Sequence, residues 1–166
     1  MAVMAIVAKG AFEREARSGG RRLGVGDVWP VASYRSLAPA LEALDGGSSL
    51  YLVTVRPGDV LWLVAILARP KRGADGWTAA PNTTPIHDIT PLVSRLRFGR
   101  GEGLAAKPGK LGMSLQTPRA LAPADVALLE EAAAAHASAP AAYRAVLAQS
   151  PAVREAEAYA AALASA

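Results

Sequence analysis

Few residues in this 166-residue chain have types and spacing suited to an active site. The chain holds two histidines, His87 and His136, and no cysteine. That excludes disulfides, thiolate metal ligands, a cysteine nucleophile and a histidine-rich metal centre. His87 beside Asp88 reads either as an acid–base pair or as a surface or cap-adjacent histidine. His136 falls near the end of an Ala-rich helix, where the helix dipole favours a cation. Glu130-Glu131 fit a solvated helix face, and Asp27, Asp59 and Asp88 fit turns or edges. No P-loop, G-x-S-x-G, H-E-x-x-H or EF-hand pattern occurs. The glycines from Gly20 to Gly26 have the wrong spacing for a dinucleotide fingerprint. No catalytic residue, metal ligand or cofactor is therefore expected.

Other residues suggest binding. Trp29 and Tyr34 flank the exit of an expected strand, Trp77 opens another, and polar loop residues lie beside all three. Such rings either pack the end of a core or offer faces on which a single-stranded or extruded base stacks. Trp62, inside an apolar run, is read as core. Asn82-Thr83-Thr84, bracketed by Pro81 and Pro85, is either an Asx-turn or a set of groups that read a base edge. Basic residues gather in loops: Arg17, Arg21 and Arg22; Arg69, Lys71 and Arg72; Arg95, Arg97 and Arg100; Lys107 and Lys110. The glycines among them let backbone approach phosphate closely. Arg21, Arg22, Arg69, Lys71, Arg72, Arg100, Lys107 and Lys110 are accordingly expected on a DNA or RNA backbone.

Charge locates this expectation. Up to residue 119 there are 16 Lys and Arg against 9 Asp and Glu, a net +7; beyond it there are 2 against 5, a net −3. All three Trp and both Phe lie in the basic part, and Tyr143 and Tyr159 are the only aromatics of the Ala-rich remainder. The longest apolar run, Val60 to Ala68, falls short of the about 20 residues of a membrane-spanning helix. Met1 to Lys9 is too short for a signal peptide. A cytoplasmic protein with no membrane partner is the expectation.

The elements that must position these residues follow from local rules. Ala2 to Ala8 and Asp27 to Ser33 read as strands, and Ala11 to Arg17 as a helical turn. Ser36 can cap a helix through Leu44, since Leu37, Leu41 and Leu44 share a face. Leu50 to Val55 and Val60 to Ala68 flank Arg56-Pro57-Gly58-Asp59, whose Pro and Gly suit a type II turn and an antiparallel hairpin. Val60 to Ala68 is apolar on both faces, so it should be a central strand buried on both sides. Trp77 to Ala79 reads as a short strand and Pro91 to Leu96 as a short helix, with Ile89, Leu92, Val93 and Leu96 as its buried stripe. Met113 to Thr117 reads as a last strand, with Leu115 inward and Ser114 and Gln116 opposite. Ala122 to Ala137 reads as a helix, followed by Ala141 to Gln149 and Ala152 to Ala164. Strands interleaved with short helices make this an α+β chain: a small barrel domain at 1–137 and an Ala-rich helical extension at 138–166.

The order of elements resembles EVE domains of the PUA-like superfamily over roughly residues 25–132. Leu96-Arg97-Phe98, a Gly/Lys loop, a strand, then Arg119-Ala120-Leu121 with Asp125 opening a helix, is similar to the end of EVE domains. There an "LRF" segment precedes a strand and an "IS-x-x-D" helix start. The resemblance implies a PUA-like barrel that holds a modified nucleobase or related ligand in a cleft. It places Trp29, Tyr34, Asn82, Thr83, Thr84 and Arg97 around that cleft, beside the Trp77 strand. The strand reading adds Ser114 and Gln116. The function expected is non-enzymatic nucleic-acid binding, with a modified or extruded base read in the barrel cleft. The alternatives are a protein-interaction scaffold acting through the 138–166 helices, and a small enzyme acting on a nucleotide-like ligand.

Overall fold

The protein's computed structural model describes residues 1–98, 109–138 and 162–163. In chain order the elements are β1 (Val3–Ile6), α1 (Lys9–Glu15), β2 (Arg17–Ser18), β3 (Arg21–Arg22), β4 (Ser33–Tyr34) and a 3-10 helix at Pro39–Leu44. Then come β5 (Leu50–Arg56), β6 (Val60–Leu67), β7 (Lys71–Arg72), β8 (Trp77–Thr78), β9 (His87–Asp88) and a 3-10 turn at Thr90–Leu92. The last are α2 (Leu111–Ser114), β10 (Arg119–Ala120) and α3 (Pro123–Ser138). The expected helices Ala141 to Gln149 and Ala152 to Ala164 lie outside the described residues, apart from 162–163.

The β5–β6 hairpin forms as its turn chemistry requires. Gly58 has φ +81°, which its missing side chain permits, and Asp59 follows at φ +57°. The Asp59 carboxylate accepts the Gly109 N–H at 2.6 Å. The hairpin is the centre of a five-stranded sheet in the order β10-β1-β5-β6-β9. Only β1 and β5 run parallel; the other neighbours are antiparallel. A parallel pair needs a crossover, and here the segment between β1 and β5 supplies it. It carries α1, the β2–β3 hairpin, β4 and the first 3-10 helix across one face of the sheet.

Both faces of the sheet are buried, and a bulge shifts the alternation of β6 part-way along. Leu52 pairs with Ala65 and Val53 with Leu63, which leaves Val64 as an extra residue in β6. Val64 and Ala65 therefore both join the cluster of Val3, Ala5, Leu50 and Leu52. Leu61, Leu63 and Ile66 pack on the other side with Met4, Tyr51 and Val53. The first layer is completed by the crossover through Phe12, Ala16, Leu23, Trp29, Leu41 and Leu44. The second is completed by Ile89, Val93, Leu96, Phe98, Leu111, Leu115, Leu121 and Leu129. Arg56 clamps α1 onto the hairpin, 5.0 Å from the Trp62 ring, 5.7 Å from the Phe12 ring and 3.4 Å from Glu13.

Four expected elements differ; one is the helix expected at Pro91 to Leu96, which is only a 3-10 turn at Thr90–Leu92. Met113 to Thr117 is not a strand: Leu111 and Leu115, four residues apart, are both buried, and the chain coils to point them the same way. The strand comes later, as β10. Asp27 to Ser33 is not continuous either. Pro30 has no N–H, and the Val31 N–H turns back to the Trp29 carbonyl at 2.8 Å, leaving one bridge at Val28–Pro85 before β4. Ser36 accepts the Ala38 N–H instead of capping, and the helix expected there shortens to Pro39–Leu44. The protein is α+β; among the described residues its strands form sheets of five, three and two strands that do not close a barrel. No helix among the described residues is long and apolar enough to cross a membrane.

The three-stranded sheet β4-β8-β7 depends on one glycine. A Cβ at Gly76 would lie 2.3 Å from the Tyr34 carbonyl oxygen and 2.8 Å from the Arg35 Cα. Gly76→Ala is expected to cost about 1–3 kcal/mol by overpacking backbone against backbone, read as a lower thermal midpoint.

Candidate functional site

The crossover opens a cavity where β1 leaves the sheet and β4 returns beside it. Its floor is Ile6, Val7 and Leu52, and its volume is about 560 Å³. The α1 wall contributes Ala8, Ala11 and Glu15; the opposite wall contributes Trp29, Ser33, Tyr34 and Arg35. Two small alanines on the helix face leave the room that larger side chains would fill. The Trp29 ring packs edge-on against Phe12, with centroids 5.5 Å apart and planes at 83°. The Tyr34 hydroxyl donates to the Ile6 carbonyl at 2.8 Å, tying β4 to the end of β1. Burial pushes the Tyr34 phenol above its usual range, so it stays neutral. Glu15 and Arg35 are exposed at the rim with opposite charge. Arg35 also lies 3.8 Å from Asp75, but both side chains are more than four-fifths exposed and the pair holds little energy.

The sequence candidates divide between the two layers. Trp29 and Tyr34 meet at the cavity. Trp77 pairs with Tyr34 across β4 and β8 but is 2 % exposed and belongs to the core, offering no open face. Asn82 is also buried, and its amide is fully used. Oδ1 accepts the Ile66 N–H at 2.9 Å and the Thr84 N–H at 3.0 Å; Nδ2 donates to the Trp29 carbonyl at 2.9 Å and the Thr84 carbonyl at 3.0 Å. This is the Asx-turn reading, extended to β6 and to the Trp29 segment, and it leaves nothing with which to read a base. Asn82 instead braces Trp29 from behind. Thr83 is exposed and Thr84 half-buried beside it.

Arg97, Ser114 and Gln116 lie with the second layer, away from the cavity. Arg97 sits between buried Leu96 and Phe98, and its guanidinium donates to the Ser94 carbonyl at 3.3 Å. The Ser114 hydroxyl donates to the Lys110 carbonyl at 3.2 Å, and Gln116 points to solvent. The place of Ser114 and Gln116 near a cleft rests on a strand at 113–117, and it falls with that strand; Arg97, placed there by the resemblance, does not line the cavity.

Among the backbone-contact candidates, Arg21, Arg22, Arg69, Lys71, Arg72 and Lys110 are all exposed. Arg21 pairs with Asp27 at 3.1 Å and Arg72 with Glu42 at 3.6 Å. Lys71 and Arg72 share the small sheet with Tyr34. Arg69, at φ +47°, edges a second recess of about 460 Å³ beside Tyr51 and Glu130. Arg100 and Lys107 lie outside the described residues, as does nearly all of the 138–166 extension.

Sequence reasoning missed four residues that matter. Glu15 and Arg35 reach the cavity rim only through the crossover. Asp125 is completely buried, and its carboxylate accepts the N–H groups of Arg97 at 2.7 Å, Phe98 at 2.7 Å and Ala122 at 3.0 Å. Leu96-Arg97-Phe98 and the start of α3 are thus joined through one side chain. Three residues after Ala122, it also caps the helix, a spacing visible in the sequence. His87 is not at the surface but 3 % exposed, stacked on His136 with ring centroids 5.5 Å apart. Asp88 is no partner for it, because its carboxylate accepts the Thr90 N–H at 2.8 Å. No group of three or more metal-ligating side chains occurs among the described residues.

No protein-family model matches the chain, and searches of curated proteins and of solved structures return no match.

Proposed function

We propose that the protein binds nucleic acid and holds a single unpaired or extruded base in the cavity between β1, α1 and β4. The observation that carries this reading is the cavity itself: about 560 Å³ walled by Trp29 and Tyr34, with Glu15 and Arg35 at its rim. A base needs apolar ring contacts together with donors and acceptors at its edge. Ile6 and the small exposed edge of Trp29, which is otherwise buried, supply the first; Arg35 donates, Glu15 accepts and Ser33 does either. Exposed Arg17, Arg21 and Arg22 on the β2–β3 hairpin, which follows α1 directly, suit the flanking phosphates. The EVE-like reading enters here as an arrangement in which the five-stranded sheet and the β4-β8-β7 sheet both flank the ligand. The role read here is that of a non-enzymatic reader.

The test is titration of intrinsic Trp fluorescence with short single-stranded, duplex and base-modified oligonucleotides at several salt concentrations. Binding should weaken steeply with salt, with a log–log slope of about −0.7 per phosphate contacted on a single strand. Arg35→Ala should weaken it by about tenfold, the scale of one lost charged hydrogen bond, and Arg97→Ala, on the opposite layer, should not. Absence of binding to every oligonucleotide at low salt ends this reading.

A further inference from the structure

The chain's two histidines, far apart in sequence, meet in the second layer. His87 lies on edge strand β9 and His136 in the last turns of α3. Their rings are nearly parallel, at 23°, with centroids 5.5 Å apart, and both residues are buried. His87 Nδ1 is 2.8 Å from the Pro85 carbonyl, an acceptor only, so the neutral ring carries its hydrogen there and leaves a lone pair on Nε2. That Nε2 is enclosed and has no hydrogen-bond partner among the described residues.

We propose that the His87–His136 stack is an acid-sensitive latch, holding the C-terminal turn of α3 on the sheet edge when neutral and releasing it when protonated. Protonation at His87 Nε2 would place an N–H where no acceptor among the described residues faces it, at the cost of an unsatisfied buried donor. With both rings charged, two cations would also face each other at stacking distance. The groups around His87 do not offset this. From β6 it faces Leu63, its register partner, which is apolar. From α3 it faces His136. From its own strand, Asp88 favours the charged ring, but that carboxylate is exposed and already caps Thr90.

Burial therefore dominates and pulls His87 below the usual histidine value; the Pro85 carbonyl and Asp88 oppose it, and His136 adds to it. A depressed value means that the stabilisation is whole above the unfolded histidine value of about 6.5 and drains away as pH falls below it.

The test is hydrogen exchange of the amides from 130 to 136 in the full chain at about pH 7.5 and about pH 5, corrected for intrinsic rates. Protection there should fall severalfold on acidification, while protection in β5 stays unchanged. His87→Phe keeps a stacking ring without a titrating nitrogen and should abolish the acid-dependent loss. Equal acid sensitivity in His87→Phe and the parent, or none in the parent, overturns the latch. Should His87→Phe fold poorly, NMR titration of the two imidazoles in the parent decides: midpoints both at or above the free-histidine value overturn it, and a depressed His87 supports it.

Discussion

Asn82→Ala should lower the free energy of unfolding by about 3–5 kcal/mol, one of the two largest single-residue losses expected in this protein. The side chain is 3 % exposed and carries four hydrogen bonds. Alanine strands the Ile66 N–H, next to the β6 bulge, and the Trp29 carbonyl. Each buried group left unpaired costs about 1–3 kcal/mol, and the small void adds to that. The loss of the Thr84 bonds weighs less, because water can reach that half-buried turn. Asn82→Asp should be no milder, since a carboxylate oxygen would face the Trp29 and Thr84 carbonyls where an amide now donates. Urea denaturation measures the effect, and a loss under about 1 kcal/mol would show that the turn relaxes and satisfies its neighbours otherwise. Because Asn82 braces Trp29, the same variants should weaken the binding proposed at the cavity without removing any group from its lining.

Asp125→Ala should cost a similar amount, about 3–5 kcal/mol, by a different route. One buried carboxylate holds three backbone N–H groups, and hydrogen bonds to a charged acceptor contribute about 1.5–3 kcal/mol each. The Arg97 and Phe98 bonds fasten the end of the second layer, where Phe98 sits at φ +56°, a strained conformation for a bulky residue. The Ala122 bond caps α3. Asp125→Asn keeps the shape but turns an amino group toward at least one of those N–H donors, so it should lose about half as much. Denaturation curves rank the variants, and far-ultraviolet circular dichroism reports whether α3 frays with them. If Asn matches the parent, the carboxylate's charge is not what fastens Phe98.

The two variants act on opposite faces of the sheet, so their losses should add in the double variant to within about 0.5 kcal/mol.

Several features were legible in the chain because their causes are local. Pro57-Gly58 dictates a turn whatever surrounds it, and the unbroken apolar run after it announces a strand buried on both sides. Both appear as β5, β6 and the two-layered core. The start of α3, with Pro123 in its first turn, is local in the same way. The five residues from Met113 to Thr117 were ambiguous: so short a window fits a period of two or of nearly four, and the need to bury Leu111 with Leu115 decided it. Whether a tryptophan is a face or a filler was not legible either. Trp29 and Trp77 are both buried in the same core, yet only Trp29 also borders the cavity.

The sequence by itself determined the turn, the doubly buried strand, the basic half and the helical start, because propensity, apolar period and charge act within a few residues. Only the tertiary structure decided that β1 lies parallel to β5, and that choice sends the crossover over one face and opens the cavity. It alone brought Asn82 to Trp29, Asp125 to Phe98 and His87 to His136. Such contacts join residues 27 to 53 positions apart, and their energy exists only once the sheet has set both partners in place.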